Sequence, residues 1–254
     1  MKRLLLMLFL MAGVLVSCEE DDNDDDNNNQ DNNTTEDPTS FEPPGLSDLD
    51  AVMIALNTST TIEVPLVGTT TQITGMALAR FVGVTDAGTV SCEGQELQNN
   101  QGAYFFTIGP ANPMGIDFDN SVEWDVSGSG SVNAFNYSYM KSVPEIGPIT
   151  GVTNDEVDRS QDLTVGLDVN SSETDISSAD SLAFVVIDSD GTLLMKTQGK
   201  SQNTATFTAS ELGGLATGQG FVQVVGYTYM VRQEGSLDVA YLNEGVAVKT
   251  VDIK

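Results

Sequence analysis

The sequence contains no histidine at all. That removes Ser-His-Asp and Cys-His catalysis, His-ligated zinc and the common imidazole acid–base pairs. Cysteine is nearly as scarce, with Cys18 and Cys92 the only two. The surroundings of Cys92, Val90-Ser91-Cys92-Glu93-Gly94, offer an acid where a reactive thiol needs a base or a cation, so Cys92 reads as a small half-buried strand residue. Tryptophan occurs once, as Trp124. Lysine and arginine total 10 against 37 acids, a formal charge of −27. A chain that acidic is repelled by nucleic acid and by anionic lipid, which sets nucleic-acid binding aside. Long apolar runs are missing too, apart from the 13 residues Leu4 to Val16, which are too few to span a bilayer comfortably.

That short run has the length of a secretory signal core, and Lys2 and Arg3 give it a positive n-region. It ends in Leu15-Val16-Ser17-Cys18, which resembles the lipobox of bacterial lipoproteins. The resemblance implies cleavage between Ser17 and Cys18, acylation of Cys18, and an outer-membrane protein held by acyl chains such as palmitate. The same resemblance takes Cys18 as the lipid site and leaves Cys92 alone in the mature fold, without a disulfide. Behind it run Glu19, Glu20, Asp21, Asp22, Asn23 and Asp24 to Asp26, then an Asn-rich stretch to Asn33. This run is similar to the acidic export signal of Bacteroidota-type surface lipoproteins, with Glu19 to Asp22 as its first four residues, and implies exposure on the cell surface. Residues 19 to 40 hold no large apolar side chain and so cannot offset their ordering entropy; residues 18–40 read as a disordered, solvated tether.

From about residue 50 the pattern changes to short alternating runs rich in Val, Thr, Ile, Phe and Tyr, broken by Gly, Asn, Asp and Pro. It predicts an all-β fold. Ala51 to Leu56 and Thr61 to Val67 read as separate strands. In Ile73 to Val84, Gly75, Ala77, Ala79 and Phe81 fall on one face, and Met76, Leu78, Arg80 and Val82 on the other. Pro144-Glu145-Ile146-Gly147-Pro148 has the composition of a short stiff linker. It divides the chain into expected β-sandwich domains 41–147 and 148–254. The second half offers seven strands, with Leu237 to Leu242 and Val246 to Ile253 expected to be joined by a turn at Asn243-Glu244-Gly245. Thr208 to Glu211 has capping-box spacing. Leu215-Ala-Thr-Gly218-Gln-Gly220-Phe221 then resembles the E–F corner of fibronectin type III and related sandwiches, with Phe221 where that family has tyrosine. The resemblance implies two tandem immunoglobulin-like β-sandwich domains.

Asp188-x-Asp190-Gly191 opens like a calcium loop. Its fifth and twelfth positions are Thr192 and Gly199, where that loop needs an oxygen ligand and a glutamate, so a hairpin turn is expected. Asp117 and Asp119 flank Phe118 on one strand face, where two carboxylates can hold Ca²⁺ or equally form a solvated face. Trp124, Tyr227 and Tyr229 are the candidate glycan-stacking rings, with core or edge packing the alternative. Asp180-Ser181-Leu182 matches a short O-glycosylation pattern of secreted Bacteroidota proteins. The expectation is a non-enzymatic surface lipoprotein, binding or structural, without a cofactor unless Ca²⁺ is held. Its partners would be the outer membrane through the lipid and a glycan or surface protein. The alternatives are a glycan-binding accessory lipoprotein of a polysaccharide-uptake system and a hydrolase using carboxylates alone.

Overall fold

A computed structural model describes residues 49–64, 68–110 and 112–254. The strands are β1 (Ala51–Val64), β2 (Gly68–Phe81), β3 (Val90–Cys92), β4 (Gln95–Glu96), β5 (Gln98–Asn100), β6 (Ala103–Phe105), β7 (Val122–Val126) and β8 (Phe135–Tyr139). They continue with β9 (Ile149–Thr150), β10 (Glu156–Val157), β11 (Leu163–Leu167), β12 (Ser181–Ile187), β13 (Leu193–Gly199) and β14 (Thr204–Phe207). The single described helical turn, α1 (Ala209–Leu212), precedes β15 (Gly218–Glu234) and β16 (Leu237–Ile253). The fold is an all-β sandwich, as the alternation predicts.

One nine-stranded sheet dominates, in the order β13-β12-β15-β16-β1-β2-β6-β5, with β10 also pairing with β16. The joint between its halves is the parallel pairing of β1 with β16, from Ala51 opposite Val239 to Ser59 opposite Ala247. Strands from before and after residue 148 therefore share one sheet. The expected boundary falls inside a structure whose backbone ladder runs straight through it.

Along β16 the odd-numbered residues face two smaller sheets. Val239 and Tyr241 join a core with Met53, Phe81, Val122, Trp124 and Val126, beneath the sheet β4-β3-β7-β8. Ala247, Val251 and Ile253 join a second core with Phe184, Val186, Val165 and Phe207, beneath the sheet β14-β11-β9. The second half thus has three strands facing four, the layering of a β-sandwich. Both sandwiches use the same face of the large sheet.

Between the two cores the sheet carries a row of three glycines and one asparagine. Gly226 lies opposite Gly245, Gly245 opposite Asn57, and Asn57 opposite Gly75, a row crossing four strands. The chain passes over this trough. A Cβ on Gly245 would sit 2.1 Å from the Pro144 oxygen, one on Gly226 would sit 2.7 Å from Ile146 Cδ1, and one on Gly75 would sit 1.8 Å from the Ile116 oxygen. The Pro144–Pro148 segment is consequently pressed into the sheet rather than solvated, with Ile146 fully buried. Its prolines suit this crossing because they present no N–H to leave unpaired.

Two other expectations change. Ala51 to Val64 forms one 14-residue strand, because Thr-Ser-Thr-Thr favours extended backbone and no Gly or Pro interrupts it. Asn243-Glu244-Gly245 is not a turn: β16 continues through it, paired with β15 on one side and β1 on the other. The capping box is present, with Thr208 Oγ1 accepting from the Glu211 amide at 3.3 Å and Glu211 Oε2 accepting from the Thr208 amide at 2.7 Å.

Candidate functional site

Cys18 and the run Glu19, Glu20, Asp21 and Asp22 lie outside the described residues. Asp117 and Asp119 are exposed and flank the half-buried Phe118, but in the connection between β6 and β7 rather than on a strand. Among the described residues no group of three or more Asp, Glu, Cys or His is placed to hold a metal ion. Two carboxylates fall well short of the six to eight oxygens that calcium takes.

The three candidate rings do not form a platform. Trp124 has 0% exposure and points from β7 into the first core, with its Nε1 buried and unpaired. Period-two alternation puts Val122, Trp124 and Val126 inward and leaves Glu123 and Asp125 outside. Tyr227 is 6% exposed and Tyr229 is half-buried, and both lie on the face of the large sheet away from the core that holds Trp124. Trp124 therefore cannot join the tyrosines on one glycan, and Tyr227 is too enclosed to offer a ring face. Ser181 is equally enclosed in β12, so the Asp180-Ser181-Leu182 pattern offers no accessible hydroxyl.

The Asp188 turn behaves as expected, joining β12 to β13. Its carboxylate is fully engaged: Oδ1 accepts from the amides of Asp190 at 2.9 Å and Thr192 at 2.7 Å, and Oδ2 accepts from Ala216 at 2.6 Å. Burial works to raise its pKa, yet the Ala216, Thr192 and Asp190 amides hold it below the ordinary carboxylate value. The side chain pins the turn to the loop before β15 and has no oxygen to spare for a cation.

The densest set of interacting polar groups sits at the seam. Lys141 Nζ lies 2.9 Å from Asp180 Oδ1 and 2.8 Å from Thr228 Oγ1. Thr228 donates to Asp180 Oδ2 at 2.6 Å. Its single proton is thereby committed, so the 2.9 Å contact with Tyr139 has the Tyr139 hydroxyl as donor. Asn243 Nδ2 donates to the Lys141 carbonyl at 2.6 Å. A threonine beside a lysine suggests nucleophilic chemistry, but Thr228 is buried and both its lone pairs are occupied. The cluster is a clamp joining β8, β12, β15 and β16. Its members come from separate segments of the chain, at residues 139–141, 180, 228 and 243, so no local spacing could have revealed it.

A more open arrangement lies at the other end of the large sheet. A cleft of about 460 Å³ is lined by Asp86, Thr89, Glu96, Gln98, Asn99 and the edge of Tyr104. The Tyr104 hydroxyl anchors its floor, accepting from the Ala87 amide at 2.7 Å and from Asn99 Nδ2 at 3.1 Å, with Asp86 Oδ1 at 3.4 Å. Burial, together with the nearby Asp86 charge, pushes that hydroxyl's pKa up, while the Ala87 amide opposes it. Carboxylates, amides and a hydroxyl around one opening can exchange hydrogen bonds with a hydroxyl-rich ligand.

Glu244 is the residue the sequence reading missed. It sits mid-strand on the face away from both small sheets, between Leu242 and Val246 along β16 and opposite Leu56 and Tyr227. It is 2% exposed. Burial alone pushes its carboxyl up to about 8. The available signal was its register: Ala240, Leu242, Glu244 and Val246 alternate without a break. Comparison with known proteins returns no matching family model and no matching curated protein.

Proposed function

We propose that the chain is a non-enzymatic, lipid-anchored module of the outer membrane that displays a double β-sandwich outside the cell. The observation carrying this reading is Leu15-Val16-Ser17-Cys18 followed at once by Glu19 to Asp26 and then, past the tether, by an all-β body. The anchor partner is the membrane, reached through Cys18. The double sandwich supports a presenting role: a continuous ladder and a buried crossing segment hold the loops at its ends in fixed relation. Proteinase treatment of intact cells tests the reading. Loss of the protein from untreated-permeability cells, together with its release into the soluble fraction in a Cys18→Ala variant, is the expected pair of results. Protection until the outer membrane is opened would contradict surface display, and an unchanged membrane fraction in the variant would contradict the anchor.

A second reading is favoured by the Asp86–Asn99 cleft, whose polar lining suits a glycan. Thermal-shift titration against polysaccharides tests it, since a ligand bound only by the folded state raises the melting point. Glu96→Ala and Asn99→Ala should abolish any shift. A shift that survives both places the glycan elsewhere, and turnover of a polysaccharide lost on replacing one carboxylate would instead favour the hydrolase.

A further inference from the structure

The cleft beside β5 and β6 holds an uneven stock of hydrogen-bonding groups. Both amide hydrogens of Asn99 are spent, one on the Thr85 carbonyl at 3.2 Å and one on the Tyr104 hydroxyl at 3.1 Å. The Tyr104 hydroxyl accepts that bond and one from the Ala87 amide, and gives its own proton to Asp86 Oδ1. The Gly88 amide is committed to the same Asp86 oxygen at 2.8 Å, and the Thr89 amide to Ser127 Oγ at 2.8 Å. The side-chain donors that remain in the lining are the Thr89 hydroxyl and the Gln98 amide. Against them stand the Glu96 carboxylate and Asp86 Oδ2, which has the Ser129 hydroxyl at 3.4 Å. Among the described residues no lysine or arginine lines the opening or pairs with either acid.

We propose, building on the glycan reading of this cleft, that its ligand is a glycan bearing a free ammonium group, an amino sugar without its N-acetyl, received by Glu96 and Asp86. A lining with more free acceptors than donors is satisfied by a ligand that brings donors, and an ammonium brings three and no acceptor. Two carboxylates without a counter-charge in one concave opening also focus a negative potential, which draws in cations and repels the carboxylates of a uronic-acid polymer. Ring stacking does not supply the affinity instead, because Tyr104, the one aromatic in the lining, is 2% exposed. Hydrogen bonds to charged partners are about twice as strong as neutral ones, so the ammonium contacts carry the binding. The volume of about 460 Å³ suits a small ligand group of this kind. A metal ion fits less well, since among the described residues no three acids, cysteines or histidines are grouped to hold one.

Isothermal titration of the detergent-solubilised full chain with three oligosaccharides of equal length tests the proposal. They are a chitosan oligomer, whose amines are free, the N-acetylated chitin oligomer, and an oligogalacturonate. At low ionic strength, and at a pH where amine and carboxylates are all charged, the chitosan oligomer should bind at least about tenfold more tightly than the chitin oligomer, with the oligogalacturonate weakest. Glu96→Gln and Asp86→Asn keep the shape and an acceptor oxygen. Each should weaken chitosan binding about tenfold and change chitin binding by less than about twofold. Asp190→Asn removes the same charge at the exposed β12–β13 turn and should leave both affinities unchanged. Chitosan affinity that falls equally in Asp190→Asn, or in none of the three variants, marks diffuse attraction to an acidic surface and overturns the proposal. Chitin or oligogalacturonate bound as tightly as chitosan overturns the ammonium assignment, and if Glu96→Ala abolishes that binding the glycan reading still stands. Failure of all three oligosaccharides to bind overturns both.

Discussion

Replacing Glu244 with glutamine should stabilise the protein, and by an amount that depends on pH. In the folded chain its carboxyl is raised from 4.5 to about 8, and burial is the cause. A carboxyl with a raised folded pKa binds more protons folded than unfolded between those two values. Stability is therefore fullest below pH 4.5, declines as pH rises towards 8, and levels off above that. At about 1.4 kcal/mol per pH unit, the charge costs roughly 3 kcal/mol at pH 7 and about 5 kcal/mol above pH 8. Glutamine keeps the shape and an uncharged polar end, so Glu244→Gln should match the parent at pH 4 and exceed it by roughly 3 kcal/mol at pH 7. For a chain of this size that is a rise in Tm of about 6–12 °C. The groups with lowered pKa, Asp188 among them, act on the opposite slope and at lower pH, so they leave the window from 5 to 8 to Glu244. Urea unfolding of both proteins from pH 4 to 9 reads the difference directly. Curves that stay parallel from pH 5 to 8, or a less stable variant at pH 7, would refute the reasoning.

Other substitutions probe the seam and the turns. Gly245→Ala drives a methyl into the Pro144 carbonyl and should cost about 1–3 kcal/mol by overpacking, whereas Gly199→Ala, with open space around it, should change Tm far less. Asp188→Ala strands three amides and should cost about 2–3 kcal/mol at pH 7 by urea unfolding. The lowered folded pKa of Asp188 means its contribution is present above the unfolded carboxylate value and fades as pH falls through the folded one, so the variant and the parent should converge in acid. Tyr104→Phe leaves the buried Ala87 amide without its acceptor and should cost about 1–3 kcal/mol, read as a lower urea midpoint at unchanged slope.

Local patterns were legible wherever local physics decides the outcome. The two faces of β2, the Asp188 turn and the Thr208 capping box all follow from side-chain alternation, turn chemistry and backbone capping. The parallel joint of β1 to β16 was not legible, because its partners are some 190 residues apart and nothing in either strand encodes the other. Asn243-Glu244-Gly245 misled for a related reason. Its residues favour a turn locally, but pairing on both sides holds it extended, and Gly245 is there to admit the Pro144 carbonyl rather than to bend the chain. Trp124 could be read as exposed or buried from its acidic neighbours alone. The four-stranded sheet that turns Glu123 and Asp125 outward is what sends the indole into the core.

The anchor is the claim on which the functional reading stands, and the intact mass of the native protein extracted from membranes tests it most directly. The account predicts a chain that begins at Cys18, lacks residues 1–17, and carries added acyl mass on that cysteine. A protein that retains Met1, or begins elsewhere with no acyl mass, would contradict it.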